Sequence, residues 1–379
     1  MPKKFFIIAC EPSGDSHAAH LMEEIRKKEP FAEFLGLGGP QMLQAGASLI
    51  YDMTTISALG LGDVIRQYFK YRSIFYQALR AVDKFKPDSL ILVDSPAFNL
   101  RFAKKINKKI PVIYYISPQI WAWGKRRIRT IQRTVSKMLV ILPFEVAIYE
   151  KAGVPCEFVG HPLLDKIPEA LDRDEIRKHL DIKKEEKAIG ILPGSRQKEV
   201  KRILPLMLKA IHYLNLKDGK YRFFLTRSSN ISQKLYDEIL RPYAHLNIIE
   251  THYHHYETLT ALDFALITSG TATLESAIIG TPFFLLYKAS WSTYILGKQL
   301  VKVPYLGLVN LLANKRIVPE FIQNDIHPET IAHEIQVLLN SKELFHHMKR
   351  EFEDVRKKLG EKGASQRAAQ SILDYLSSQ

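Results

Sequence analysis

The feature that most limits the fold is an alternation of short apolar runs with amphipathic helical stretches, which lapses once and then starts again. Lys4–Ala9 reads as a strand, after which Ala18, Leu21, Met22 and Ile25 recur on one helical face. Phe34–Leu37, Ser89–Val93, Val112–Ile116 and Met138–Leu142 are further expected strands with helix between them. The pattern gives way to a Pro-containing stretch between Gly160 and Asp172. It resumes with Ala188–Leu192, Arg222–Thr226, Asn247–Ile249, Phe264–Thr268 and Pro282–Leu286. Pro205 falls inside a helical pattern that runs from Val200 to Ile211, so that helix is expected to start late or kink there. After Pro328 the chain reads as mostly helical and polar.

Strands alternating with helices build parallel sheets covered on both faces. Two such halves predict an α/β protein of two doubly wound, Rossmann-like domains, with ligands outside the carboxyl ends of the strands and in the cleft between the halves. The expected division is 1–165, 166–350 and a helical tail, 351–379, that crosses back to the first domain or reaches a partner chain.

Composition narrows the class. With 46% hydrophobic and 25% charged residues, each half can bury a core. The apolar run Phe5–Cys10 ends at once in Glu11-Pro12-Ser13-Gly14-Asp15, which is too short for a signal peptide and suits a first strand. The longest apolar stretch, Phe264 to Tyr287, is interrupted by Ser269, Gly270, Thr271, Thr273 and Glu275, so a soluble or peripheral protein is expected. Two cysteines, Cys10 and Cys156, make no disulfide framework and fit a reducing compartment. The net charge of +14 points to polyanions (nucleic acid, anionic lipid or phosphorylated substrates) or to plain solubility.

Several strand ends carry residues suited to chemistry. Leu192-Pro193-Gly194-Ser195-Arg196 closes a strand with a Gly-Ser turn before a helix, an arrangement that offers backbone N–H groups and a guanidinium to an anion. Thr268-Ser269-Gly270-Thr271 does the same with small residues and hydroxyls, and Glu275 one turn on suits a ribose diol. Both are equally readable as ordinary turns. In the first half, the acids Glu11 and Asp15 argue against a dinucleotide pyrophosphate, and Gly36-Leu37-Gly38-Gly39-Pro40 lacks the third glycine of that fingerprint. Asp94 ends a fully apolar strand, where partial desolvation raises a carboxylate toward the range of a general base; a helix N-cap is its bland alternative. Thr251-His252-Tyr253-His254-His255 lacks metal-ligand spacing, so no metal and no cofactor is expected.

Between Ile56 and Tyr76, Leu61, Val64, Ile65, Tyr68 and Phe69 mix with Arg66, Lys70 and Arg72. Such a helix can lie in a membrane interface or cup acyl chains, or simply pack in a core. Trp121-Ala122-Trp123 precedes a basic run with Arg126 and Arg127, which suits a phosphate or anionic head groups or else makes a solvated helix face.

Taken in order, Glu11-Pro12-Ser13-Gly14-Asp15, Gly38-Gly39-Pro40, Asp94-Ser95-Pro96, Ser117–Trp123, Leu142–Glu145, Val159–Pro162, Leu192–Arg196, Ser269–Glu275 and Asn310–Ala313 closely resemble the lipid-A-disaccharide synthase family. The resemblance implies a GT-B fold and a metal-independent inverting hexosyltransferase. It implies a UDP-diacylglucosamine donor, a diacylglucosamine 1-phosphate acceptor, and a peripheral place on the cytoplasmic face of a Gram-negative inner membrane. A phospholipid surface and a homodimer through the C-terminal part are its implied partners, with no nucleic acid.

Matched residue by residue, Asp94 takes the place of the base, with Glu11 as the other catalytic carboxylate. Gly194, Ser195, Arg196, Ser269, Gly270, Thr271 and Glu275 take the nucleotide-sugar side. Ser13, Asp15, Asn310, Arg126 and Arg127 take the acceptor and loop positions. Ala97, Val309 and Asn314 depart from the family pattern, which usually has Asp, Pro and Gly there. The rival readings are another GT-B UDP-sugar enzyme, such as an epimerase or a transferase to a different lipid carrier, and a non-catalytic basic protein on nucleic acid.

Overall fold

The computed structural model describes residues 2–57, 64–218, 220–251, 255–300 and 303–379. The chain divides into two units, Met1–Asp165 with Leu359–Gln379, and Lys166–Lys358. Each is built on one parallel sheet with helices between successive strands.

The first unit has seven strands, β1 (Lys4–Ala9), β2 (Glu33–Gly38), β3 (Ser48–Asp52), β4 (Ser89–Val93), β5 (Val112–Tyr115), β6 (Lys137–Val140) and β7 (Cys156–Phe158), in the order β3-β2-β1-β4-β5-β6-β7. Strand β4 is buried along its whole length because helices cover both faces, which is why its sequence is an unbroken apolar run. The chain reverses order between β1 and β4, and the carboxyl ends of that pair are where ligands bind in such sheets. Gly36 of β2 is obligatory, since a Cβ there would lie 1.9 Å from the carbonyl oxygen of Ile7.

The second unit has six strands, β8 (Lys187–Leu192), β9 (Tyr221–Thr226), β10 (Ile249–Thr251), β11 (Phe264–Thr268), β12 (Phe283–Tyr287) and β13 (Glu320–Ile322), in the order β10-β9-β8-β11-β12-β13. The helix Gln197–Asp218 keeps Pro205 inside it, so the sequence expectation of a late start does not hold. The missing N–H removes one hydrogen bond to the preceding turn. Val200, Ile203, Leu204, Met207, Leu208 and Ile211 are all fully buried, and that packing holds the helix through the break.

The tail begins later than residue 351, because Lys342–Lys358 is one continuous helix of the second unit, held by buried Met348, Phe352 and Val355. The last helix, Ala364–Ser377, belongs to the first unit, where Ala368, Ala369 and Ile372 join the cluster of Phe5, Ile7 and Ile91. Asp165 caps that helix by accepting the N–H groups of Gly363 at 2.5 Å and Ala364 at 3.1 Å. Arg367 clamps the entry by donating to the carbonyls of Val159 at 2.8 Å and Lys362 at 2.6 Å.

Candidate active site

Parallel pairing of β1 with β4 puts Ala9 opposite Val93, so the chain leaves both strands at the same edge of the sheet and brings Glu11 and Asp94 together. Burial raises the Asp94 carboxyl from 3.8 to about 6, the nearby Glu11 carboxylate adds to this, and the Ser95 N–H opposes it. Asp94 is not a helix cap. Ser95 occupies the N-cap place of the helix Pro96–Ile106, and no side chain caps it.

The turn that aims Asp94 is strained, with φ of 48° at Asp94 and 42° at Ser95, both in the left-handed region that L-residues avoid. Buried Asn99 holds it by donating Nδ2 to the carbonyls of Asp94 at 2.7 Å and Val93 at 3.0 Å, and the Tyr114 hydroxyl donates to the Asp94 carbonyl as well. The sequence reading gave neither residue a role. The available signal was a polar Asn on an otherwise apolar helix face.

Glu11 opens onto a cavity of about 710 Å³ lined also by Cys10, Tyr71, Arg72, Phe75, Tyr76, Ser95–Phe98, Arg101, Trp123 and Arg127. Its size suits a ligand larger than a sugar. Its apolar wall is an aromatic stack. Phe75 meets Phe98 and Phe102 edge-on, each at 5.4 Å, and Phe98 stacks on Phe102 at 6.1 Å. Three guanidiniums line it, that of Arg127 lying 4.1 Å over the Trp123 ring. Arg126 is exposed and does not line the cavity, so of the two arginines marked in the sequence one faces it. Ala97 lies in the wall, where a carboxylate would have added a third negative group.

Other expectations are corrected by burial. Asp15 is 1% exposed and its carboxylate accepts the N–H groups of Gly39 at 2.7 Å, Gln41 at 2.9 Å and Met42 at 3.1 Å. It therefore fixes the turn after β2 and has no face left for a substrate. Ser13 is exposed in the first turn of the helix Pro12–Lys28, outside the cavity lining. Cys10 is buried and its thiol is pushed up to about 12 mainly by desolvation, so it is no nucleophile.

Leu61 lies outside the described residues. Val64, Ile65 and Tyr68 fall on the helix Val64–Phe85, on which Phe69 is 60% accessible. Further along, Ile74, Ala78 and Val82 are buried, so that part of the helix is core.

The loop leading to Trp123 is anchored from below. Glu145, 1% exposed, accepts Ser117 Oγ at 2.7 Å, Trp121 Nε1 at 3.0 Å and the Leu142 N–H at 3.3 Å. Desolvation nevertheless pushes its carboxyl up to about 7 against those hydrogen bonds.

In the second unit, Gly194, Ser195, Arg196, Ser269, Gly270 and Thr271 line one cavity of about 880 Å³. Gly194 has φ of +99°, and a Cβ there would meet Thr268 Cγ2 at 2.8 Å, so only glycine makes this turn. The helices Gln197–Asp218 and Thr271–Ile279 start at the cavity, offering unsatisfied backbone N–H groups to an anion. The Arg196 side chain is 81% exposed and pairs with Glu199 at 3.0 Å.

The run Thr226-Arg227-Ser228-Ser229 at the end of β9 also lines the cavity, a role not read from the sequence. Arg227 is buried, paired with Glu250 and 4.6 Å over the Tyr236 ring. Its signal was polar residues at the carboxyl end of an expected strand.

Glu275 lies outside this lining, half-buried, accepting the Tyr256 hydroxyl at 3.4 Å. Asn310 is corrected too. At 1% exposure it donates to the Val318 carbonyl and to Glu320 at 2.8 Å each, and accepts from Ile317 and Val318 N–H at 2.9 Å each. It is a structural clasp. Asn314 takes the left-handed C-cap, φ 57°, that glycine would otherwise fill, and Val309 is packed in the core.

The His252–His254 run lies outside the described residues. Among the described residues no three His, Cys, Asp or Glu side chains gather as a metal site.

Two parallel α/β units, one ending its strands in small-residue turns at helix starts and the other in a carboxylate next to an amphipathic cavity, define the GT-B class of nucleotide-sugar enzymes. Among solved structures, S. aureus MnaA with UDP matches at TM-score 0.66 and 14% identity, covering 100% of this chain and 97% of that one. Acinetobacter baumannii MurG matches at TM-score 0.59 and 15% identity over the whole of both chains. At such identity the likeness establishes the fold alone.

The chain belongs to the lipid-A-disaccharide synthase family, whose description, lipid-A-disaccharide synthetase, fits residues 5–373. The lipid-A-disaccharide synthase of Syntrophus aciditrophicus is 39% identical over 379 residues, 99% of this chain and 98% of that protein. Lipid-A-disaccharide synthase 1 of Legionella pneumophila strain Philadelphia 1 is 43% identical over 323 residues, 84% and 83% of the two chains.

Proposed function

We propose that the chain is an inverting hexosyltransferase that condenses UDP-2,3-diacylglucosamine with 2,3-diacylglucosamine 1-phosphate. The products are the β-1,6-linked tetraacyl disaccharide 1-phosphate and UDP. The observation that carries this reading is a single one: Asp94, its carboxyl raised to about 6, adjoins Glu11 and Ser95, which line a cavity together with aromatic rings and Arg72, Arg101 and Arg127. An acylated sugar phosphate needs that combination, apolar surface for the chains and guanidinium for the phosphate.

In this mechanism the acceptor lies on the first unit with its 6-hydroxyl at Asp94. Asp94 takes the hydroxyl proton as that oxygen forms its bond to the anomeric carbon of the donor. The bond to UDP breaks on the opposite face, so the configuration inverts through an oxocarbenium-like state. The leaving diphosphate is held in the second unit by the two helix starts and Arg196, which stabilise its charge as it develops. Burial keeps the Asp94 carboxyl basic, and the neighbouring Glu11 charge adds to it. Cys10 and Cys156, both raised to about 12, take no part.

Because both substrates are amphiphiles, the proposed setting is peripheral, at the cytoplasmic face of a Gram-negative inner membrane. No helix among the described residues is long and apolar enough to cross a membrane. The exposed Phe69 end of the helix Val64–Phe85, with Arg72 nearby, supports a lipid contact there. A homodimer through the C-terminal segment is carried over from the family, and sedimentation analysis tests it.

An epimerase would have no use for the aromatic and arginine cavity, and Glu11 and Asp94 would repel a nucleic-acid backbone. Incubation of the pure protein with both acylated substrates should yield disaccharide and UDP. UDP release that ignores the acceptor, or an epimerised donor, would overturn the proposal.

A further inference from the structure

The second unit carries an apolar helix face that its core does not use. On the helix Trp291–Leu300, Trp291 is 59% exposed and Ile295 53%, and the Trp291 ring packs edge-on to Tyr294 at 6.0 Å. Residues four apart share a helix face, so Trp291 and Ile295 form one stripe. Lys298 continues it toward the helix end and Lys288 lies just upstream. Other large exposed apolar residues of this unit, such as Leu216 on the helix Gln197–Asp218, lie on separate elements of the kind every protein surface shows.

The charge around the stripe identifies what covers it. From Ser276 to Pro319 the sequence has no Asp or Glu, while Lys288 and Lys298 flank the stripe; Lys315, further along, is already paired with Glu351 at 2.7 Å. We infer that the helix Trp291–Leu300 is a second lipid-contact surface, seated in the head-group layer of an anionic bilayer by Trp291 and Ile295 and held by the flanking lysines. A Trp ring suits that layer because one edge is apolar and the other donates a hydrogen bond, and lysine stems reach past apolar surface to phosphate. A helix of 10 residues can lie in the interface but cannot span it. A second copy of this chain would bring the same lysines against these, with no acid in the segment to pair them.

The inference rests on the lipid-substrate reading and adds to it a membrane contact on the nucleotide-holding unit. Its test uses the full chain and vesicles of phosphatidylcholine with and without phosphatidylglycerol. The Trp291→Ser/Ile295→Ser variant should partition onto the anionic vesicles about tenfold more weakly than the parent, given the apolar area it loses. Lys288→Gln/Lys298→Gln should lose the preference for phosphatidylglycerol. Both should keep the rise in melting temperature given by UDP and the turnover of detergent-dispersed substrates.

Because serine at both positions could disturb the helix, Trp291→Phe serves as the gentler variant. Quenching of tryptophan emission by brominated lipid should fall in it relative to the parent. Unchanged partition together with unchanged quenching overturns the inference. So does a variant that alters only the oligomeric mass, which would mean a second copy covers the face. If the parent makes no disaccharide even from dispersed substrates, the functional reading fails separately, whatever the vesicles show.

Discussion

The indole N–H of Trp121 donates to the carboxylate of Glu145 at 3.0 Å, tying the loop that carries Trp123 and Arg127 to a buried acid beneath it. Burial raises that acid from 4.5 to about 7, so between these values the folded protein holds a proton that the unfolded chain has lost. Stability contributed by the group therefore falls as pH rises from about 4.5 to about 7 and is level above, by on the order of 3 kcal/mol. Glu145→Gln should flatten this part of the stability profile, seen as a shallower drop in melting temperature between the two pH values. An unchanged slope would mean that Glu145 titrates normally.

Asn310 makes the opposite kind of prediction from a ligand contact. Its four hydrogen bonds all end on Ile317, Val318 and Glu320, so Asn310→Ala leaves several buried groups unpaired. The expected cost is roughly 3 kcal/mol or more in denaturant unfolding. Turnover per folded molecule at low temperature should be largely kept. A variant with parental stability and no turnover would return Asn310 to the reacting site.

The central strands were legible in the sequence because helices bury them on both faces, which forces continuous runs such as Ser89–Val93 and Phe264–Thr268. The edge strands β3, β7 and β13 were missed and β10 was read early, since each is only half-buried and carries no such run. The Gly194 turn was readable for the same reason as the strand it terminates. The duties of Asp15 and Asn310 were not, because their partners come from distant chain: Gly39 and Gln41 for one, Val318 and Glu320 for the other. Asp165 and Arg367, which secure the returning tail, are hidden by the same separation.

The proposed diphosphate site should work without metal. Turnover is expected to survive excess EDTA, and Arg196→Ala should weaken UDP binding by roughly tenfold through loss of one charge-assisted contact. Arg196 is largely exposed, so the loss should shrink as salt is raised. Activity abolished by EDTA and restored by Mg²⁺ would contradict this account of the leaving group.

Asp94 and Glu11 carry the sharpest test. A base whose carboxyl is raised to about 6 is half-protonated there, so kcat should climb with pH through about 6 and then level off. Burial is the larger cause of the shift and the Glu11 charge the smaller, so Glu11→Gln should move this limb to lower pH without returning it to 3.8. Asp94→Asn keeps the shape and one acceptor for the Ser95 N–H but cannot take a proton. It should lower kcat by ~10²–10⁴ while UDP affinity, proposed for the other unit, stays near the parental value. It should also leave the fold intact, since Asn99 and Tyr114 hold the turn through the Asp94 backbone carbonyl and not through its side chain. If Asp94→Asn keeps more than about a tenth of parental turnover, a loss far below what a general base supplies, the carboxylate is not the base and Glu11 takes its place in the mechanism.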